Sequence, residues 1–137
     1  MTVHKRLLWV EHDQMLVQHV NLLRTKYGWA VRHCVSIDEG VRAIGGSDEF
    51  DVVMVDFLFD GESRDGSDLA GFVRSCPNRH GVPFIVFSKE VVRERAYDRG
   101  PNGEHYLGKP LTPAELHEAL CAVVDGRDVA DVLSGEG

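Results

Sequence analysis

The chain has 137 residues, of which 43% are hydrophobic and 27% are charged, so its size and composition are those of one ordinary globular domain. With 15 Lys and Arg residues against 22 Asp and Glu residues, the formal net charge is −7, and this surplus of negative charge disfavours direct binding to nucleic acid. Three widely spaced cysteines favour a reducing, cytoplasmic setting over a disulfide framework, and the lack of a CxxC pair disfavours a thiolate zinc site. The apolar runs are too short to span a bilayer, so we expect no membrane partner.

Short apolar runs alternate with segments of helical periodicity along most of the chain. In the first half, the pattern predicts a strand at 7–10, a helix over 15–27, a strand at 29–34, a helix over 37–44 and a strand at 52–55. In the second half, it predicts a helix around 69–73, a strand at 82–87, a charged helix over 89–99, a strand at 105–108 and a last helix after Thr112. Five strands that alternate with five helices indicate an α/β fold with a doubly wound parallel sheet.

Local signals mark several helix ends. Ser36 with Glu39, and Thr112 with Glu115, have the spacing of capping boxes, in which each side chain accepts a hydrogen bond from the other residue's main chain. Gly28 is the expected C-terminal cap of the first helix.

Polar side chains follow four of the predicted strands. They are Glu11, His12 and Asp13 after the first strand, Asp56 after the third, Ser88 after the fourth and Lys109 after the fifth. In an open parallel sheet these strand ends share one crevice. Carboxylates brought together repel one another unless a cation neutralises them, and hard oxygen ligands suit Mg²⁺. Such a cation beside a lysine would stabilise a phosphoryl group, so the residues predict phosphoryl chemistry on an aspartate.

With these residues in this order, the sequence resembles the receiver domain of two-component response regulators over residues 6–125. The matching positions are Asp56 for the phosphoacceptor, Ser88 for the hydroxyl that contacts the phosphoryl group, Tyr106 for the aromatic switch residue, Lys109-Pro110 for the lysine and proline after the last strand, and Gly66 for the glycine that opens the third helix. The set is specific because each member follows the right strand.

The resemblance implies a flavodoxin-like (βα)5 three-layer sandwich, whose five-stranded parallel sheet has the strand order 2-1-3-4-5. It implies that a sensor histidine kinase or a histidine phosphotransfer protein phosphorylates Asp56, with Lys109 and Ser88 as the other catalytic residues. Mg²⁺ would be bound by Glu11, Asp13 and Asp56. We expect the receiver domain at 1–125 and a C-terminal tail or truncated linker at 126–137.

The implied signal is a rearrangement rather than an enzymatic product. Ser88 and Tyr106 would change the surface formed by the fourth predicted helix, the fifth strand and the fifth helix, and a downstream protein target would read that surface. The protein would therefore be a phosphoacceptor signalling domain and not an enzyme in the usual sense.

Some positions depart from the family pattern. The usual pair of adjacent acids after the first strand is replaced by Glu11-His12, and we interpret His12 as a structural histidine rather than a magnesium ligand. Asp13 or Glu11 could bind the metal in its place. The loop 56–66 is long and acidic, and Lys89 occupies a position where the family prefers a small residue. These departures support an alternative function, a degenerate receiver that acts as a phosphorylation-independent protein-interaction module.

Two enzyme classes of similar topology fit less well. An aspartate-dependent phosphatase would carry a second acid two residues after Asp56, where Leu58 stands. A flavin-binding protein would need a phosphate-binding loop after the first strand, and the acids there would repel that phosphate.

Overall fold

The structure, a computed structural model of the chain, describes residues 5–11, 16–55, 66–77, 79, 81–88, 105–108 and 111–127. The strands in this part are β1 (Arg6–Val10), β2 (Ala30–Cys34), β3 (Val52–Val55), β4 (Phe84–Ser88) and β5 (His105–Gly108). The helices are α1 (Val17–Thr25), α2 (Ile37–Gly45), α3 (Gly66–Ser75) and α4 (Pro113–Val124). The helix predicted over 89–99 lies outside the described residues.

All five strands form one parallel sheet in the order β2-β1-β3-β4-β5, which confirms the predicted fold class. The register puts one residue from each of β1, β3, β4 and β5 in a common row, namely Val10, Val55, Val86 and Tyr106. The strands therefore end at the same edge of the sheet. The strand order reverses at β1, and open α/β sheets bind ligands at this kind of switch point.

Alternate residues of each strand face opposite layers, as the two-residue repeat of a strand requires. On one face the buried cluster joins the sheet to α1 and α4; its members include Leu7, Trp9, Met54, Phe87, Val20, Leu23, Leu116 and Leu120. On the other face a second cluster joins the sheet to α2 and α3; its members include Leu8, Val10, Val55, Val86, Ile37, Ile44, Leu69 and Val73. The result is a three-layer sandwich.

The predicted helix starts are confirmed, with one difference of detail. Thr112 Oγ1 accepts from the Glu115 N–H at 3.1 Å, and Glu115 Oε1 accepts from the Thr112 N–H at 2.9 Å, so this capping box is complete. Ser36 Oγ accepts from the Glu39 N–H at 3.1 Å, but the Glu39 carboxylate takes the N–H of Val35, at 3.4 Å, instead of that of Ser36.

Two element boundaries differ from prediction. The expected cap at Gly28 is wrong, because α1 ends at Thr25 and Lys26 is its C-cap. Gly28 lies two residues further on, at φ +78°, a left-handed conformation that glycine adopts without strain. Strand β4 begins only after Pro83, which has no N–H for the sheet ladder.

Candidate functional site

The structure describes part of the predicted site. Glu11, the main chain of Ser88, and Tyr106 fall within the described ranges. The remaining predicted site residues, His12, Asp13, Asp56 and Lys109, lie outside them, as does Lys89. The strand ends that precede these residues define where the site lies.

The register brings those strand ends together. Val10 pairs with Val55 in the neighbouring strand, so the residues that precede Glu11 and Asp56 lie at the same level of adjacent strands. Ser88 pairs with Gly108, the residue before Lys109. Four strands thus end at one edge with the spacing of about 4.8 Å that neighbouring strands have.

Glu11 extends β1 by one residue and is buried, with 1% of its surface exposed. Its main chain is held by β2 on both sides. The Glu11 N–H donates to the Cys34 carbonyl at 2.8 Å, and the Glu11 carbonyl lies 2.8 Å from His33 Nε2. A carboxylate taken out of water at this edge is a hard-oxygen group whose charge a cation can neutralise.

Tyr106 lies on β5 opposite Val86 and is half-buried against the cluster that faces α2 and α3. Ser88 is paired with Gly108, two residues further towards the strand end than Tyr106. At about 3.3 Å per residue, this offset separates the two levels by about 6–7 Å. Tyr106 therefore lies below the edge, where its ring is in contact with core residues.

Two histidines that were not among the predicted site residues contact the main chain near this edge. One is His33, whose ring reaches the Glu11 carbonyl, and the other is His19 on α1, whose Nε2 lies 2.8 Å from the carbonyl of Leu111. Leu111 follows Lys109 by two residues. Neither contact has a local signal, because the partners are 22 and 92 residues apart in the chain.

One described side chain at the sheet edge is of a type that binds magnesium. Among the described residues, no group of three or more His, Cys, Asp and Glu side chains could hold a metal ion. Glu11 supplies one hard oxygen donor at the sheet edge, which is the ligand type that Mg²⁺ prefers. The other two predicted ligands lie in the parts of the chain that are not described.

The three cysteines, all within the described ranges, are free thiols. Burial is the main cause that raises the pKa of Cys34 and of Cys121. A raised pKa keeps a thiol protonated and weakly nucleophilic. We therefore interpret these residues as small apolar residues that pack in the interior, in agreement with their wide spacing in the sequence.

Among the helices that the structure describes, none combines the length and the apolar character that a membrane span requires.

No known protein-family profile matches the sequence. Among curated proteins, the chain is 25% identical over 116 residues to the uncharacterized transcriptional regulatory protein YcbL of Bacillus subtilis (strain 168). The match covers 84% of this chain and 49% of that protein, so the chain spans about half the length of this curated relative.

Solved structures match over most of their length. A sensor protein from Polaromonas sp. JS666 has a TM-score of 0.76 at 19% identity, over 90% of this chain and 98% of that one. The chemotaxis response regulator CheY4 of Vibrio cholerae has a TM-score of 0.75 at 20% identity, and the match covers 88% of this chain and 99% of that one. A third match is the receiver domain of the sensor histidine kinase PA1611 from Pseudomonas aeruginosa PAO1, a structure with magnesium coordinated in the active-site cleft. Its TM-score is 0.73 at 19% identity, and the match covers 90% of this chain and 99% of that one.

These neighbours include a response regulator and the receiver domain of a sensor histidine kinase. The chain has the receiver-domain fold, and the resemblance predicted from its sequence is confirmed.

Proposed function

We propose that this chain is a signalling receiver that accepts a phosphoryl group on Asp56 from a sensor histidine kinase or a histidine phosphotransfer protein. The observation that carries the proposal is the common edge of β1, β3, β4 and β5, with Glu11 buried at the end of β1 and Asp56 next in the chain after Val55. The receiver fold of the solved neighbours supports the same general role.

The proposed transfer is one displacement at phosphorus. A carboxylate oxygen of Asp56 forms a bond to phosphorus as the bond between phosphorus and the donor's imidazole nitrogen breaks, and the imidazole keeps that electron pair. Glu11, Asp13 and Asp56 would hold Mg²⁺, which supplies positive charge next to the phosphoryl oxygens. The Lys109 ammonium would pair with one of these oxygens.

The proposed output is a change of surface and not a product. The Ser88 hydroxyl would donate to a phosphoryl oxygen and draw the end of β4 towards Asp56. Tyr106 lies on the neighbouring strand, two residues below that level, and is half-buried. A shift of β4 would therefore change the packing of the Tyr106 side chain. It would also change the surface of β5 and α4 that a downstream protein would bind. Direct nucleic-acid binding is not part of this proposal.

Phosphodonor labelling tests the assignment of Asp56. With acetyl phosphate and Mg²⁺, intact mass spectrometry should find one added phosphoryl group on the parent protein and none on Asp56→Asn. Asp38→Asn, on the exposed side of α2, is the matched control and should label like the parent. Equal labelling of Asp56→Asn and the parent would exclude Asp56 as the acceptor.

The degenerate receiver is the second candidate function, favoured by His12 at a position where the family has an acid and by the acidic loop after Asp56. It predicts a parent protein that takes no label under any Mg²⁺ concentration. Under the phosphoacceptor proposal, His12→Asp should bind Mg²⁺ more tightly than the parent, because it adds a negative charge and a hard oxygen. Unchanged affinity would mean that a carboxylate at position 12 adds no ligand to those of Glu11, Asp13 and Asp56.

A further inference from the structure

Two histidine rings contact the main chain next to the candidate site, one at Glu11 and one at Leu111. His33 Nε2 lies 2.8 Å from the carbonyl oxygen of Glu11, and His19 Nε2 lies 2.8 Å from that of Leu111. A carbonyl oxygen can only accept a hydrogen bond, so each Nε2 carries the hydrogen and donates it. Both rings are half-buried, so water competes only partly for these bonds.

The His33 bond takes the place of a sheet hydrogen bond. In a parallel ladder, a residue donates to one residue of the neighbouring strand and accepts from the residue two positions further along it. The Glu11 N–H donates to Cys34, so its carbonyl would accept from residue 36 if β2 continued. However, β2 ends at Cys34, and Ser36 is already the N-cap of α2. The His33 ring supplies the donor instead and holds Glu11, the residue after β1, in line with the sheet.

The His19 bond acts on the chain that follows β5. Leu111 lies between Lys109 and the capping box that starts α4 at Thr112. Its side chain packs against the cluster under α1 and α4, and its carbonyl accepts from His19 on α1. The main chain two residues after Lys109 is therefore bonded to α1, a helix that packs on β2 and on α4.

We propose that His33 and His19 are positioning residues of the candidate site, acting through main-chain carbonyls and not through contact with metal or phosphoryl group. His33 sets where the chain leaves β1 at Glu11, the carboxylate end of the site. His19 sets where the chain continues after Lys109, the cationic end. The inference rests on the proposed function for what the site does, while the two contacts stand on the structure alone.

We expect the two substitutions to change different measured quantities. His33 supports the proposed Mg²⁺ ligand Glu11, whereas His19 supports the chain after Lys109, which would pair with the phosphoryl group. His33→Met removes the donor and should raise the Mg²⁺ dissociation constant about 3- to 10-fold, the usual effect of losing one hydrogen bond. Quenching of Trp9, two residues before Glu11, measures this constant. His19→Met should leave Mg²⁺ affinity within about 2-fold and slow acetyl phosphate labelling at saturating Mg²⁺ about 3- to 10-fold.

Rescue by the conservative variant separates positioning from general support of the fold. A Gln side chain can place its amide nitrogen near the position of Nε2, whereas Asn is too short, so His33→Gln and His19→Gln should behave like the parent and the Asn variants like the Met variants. Arg32→Met and Gln18→Met are exposed neighbours on the same elements and should change neither constant. Should a Met variant fail to fold, the comparison of Gln with Asn decides alone.

Variants that fold and match the parent in both constants, or Gln variants that lose as much as Asn variants, overturn the positioning role. A parent that binds Mg²⁺ but takes no label overturns the phosphoacceptor function and the role of His19, while the titration of His33 variants still decides the role of His33. A parent that neither binds Mg²⁺ nor labels overturns both proposals.

Discussion

Gly40 controls how closely α2 approaches β1. A Cβ atom added at Gly40 would lie 2.8 Å from Val10 Cγ2 and 3.4 Å from Leu69 Cδ2. The first distance is shorter than real Cβ contacts, and Val10 is fully buried at the end of β1. Gly40→Ala must therefore move α2 or Val10, in a layer where close packing leaves little room to relax.

The size of the effect follows from two opposing contributions. Replacing glycine by alanine inside a helix stabilises it by about 1 kcal/mol, whereas adding a methyl group to a filled core costs about 1–3 kcal/mol. We therefore expect Gly40→Ala to lower the free energy of unfolding, by up to about 2 kcal/mol. Gly45→Ala is the matched control on the same helix, because no described atom lies within 4 Å of its added Cβ. It should raise the free energy of unfolding by up to about 1 kcal/mol.

Urea denaturation followed by tryptophan fluorescence measures both variants, since Trp9 and Trp29 are buried in the native state. The test is completed in a Val10→Ala background, where the clashing methyl groups are gone. There, Gly40→Ala should be neutral or stabilising, so that the two substitutions are strongly non-additive. If Gly40→Ala stabilises the parent as much as Gly45→Ala does, α2 does not pack on β1 as described.

Three further predictions use the same denaturation assay. Thr112→Ala should lose about 1 kcal/mol because it breaks the capping box of α4, while Thr112→Ser should keep most of it; equal loss in both would contradict the cap. Arg79 is buried and donates from Nε to the carbonyl of Ile44 at 3.0 Å, so Arg79→Met should cost about 2–3 kcal/mol by leaving that carbonyl without its charged donor. A cost below that of an exposed arginine-to-methionine control would exclude this role. His117 Nδ1 accepts from Trp29 Nε1 at 2.9 Å, and burial lowers the pKa of His117 from its usual 6.5. The unfolded chain then binds the proton more readily, so the free energy of unfolding should fall as the pH drops below about 6.5. His117→Gln should show a shallower fall; an identical pH profile would refute the assignment.

The amino-acid sequence by itself determined the order of strands and helices and the starts of α2 and α4. These features are local: an apolar run of four residues, helical periodicity, or a capping pair three residues apart carries its own signal. The positions of the candidate site residues at strand ends follow from the same reading. The strand order came through the family resemblance and is confirmed by the sheet.

Only the tertiary structure decided which side chains support those strand ends. His33 reaches Glu11 because β2 lies beside β1 in a register that pairs Val10 with Cys34. His19 reaches Leu111 across 92 residues because α1 and α4 pack on the same face of the sheet. Gly40 likewise matters only because α2 crosses β1 at that residue. Such contacts depend on how the connections of the fold bring distant segments together. A local sequence pattern does not indicate which distant atom will complete a hydrogen bond, or which side chain will occupy the space beside a glycine.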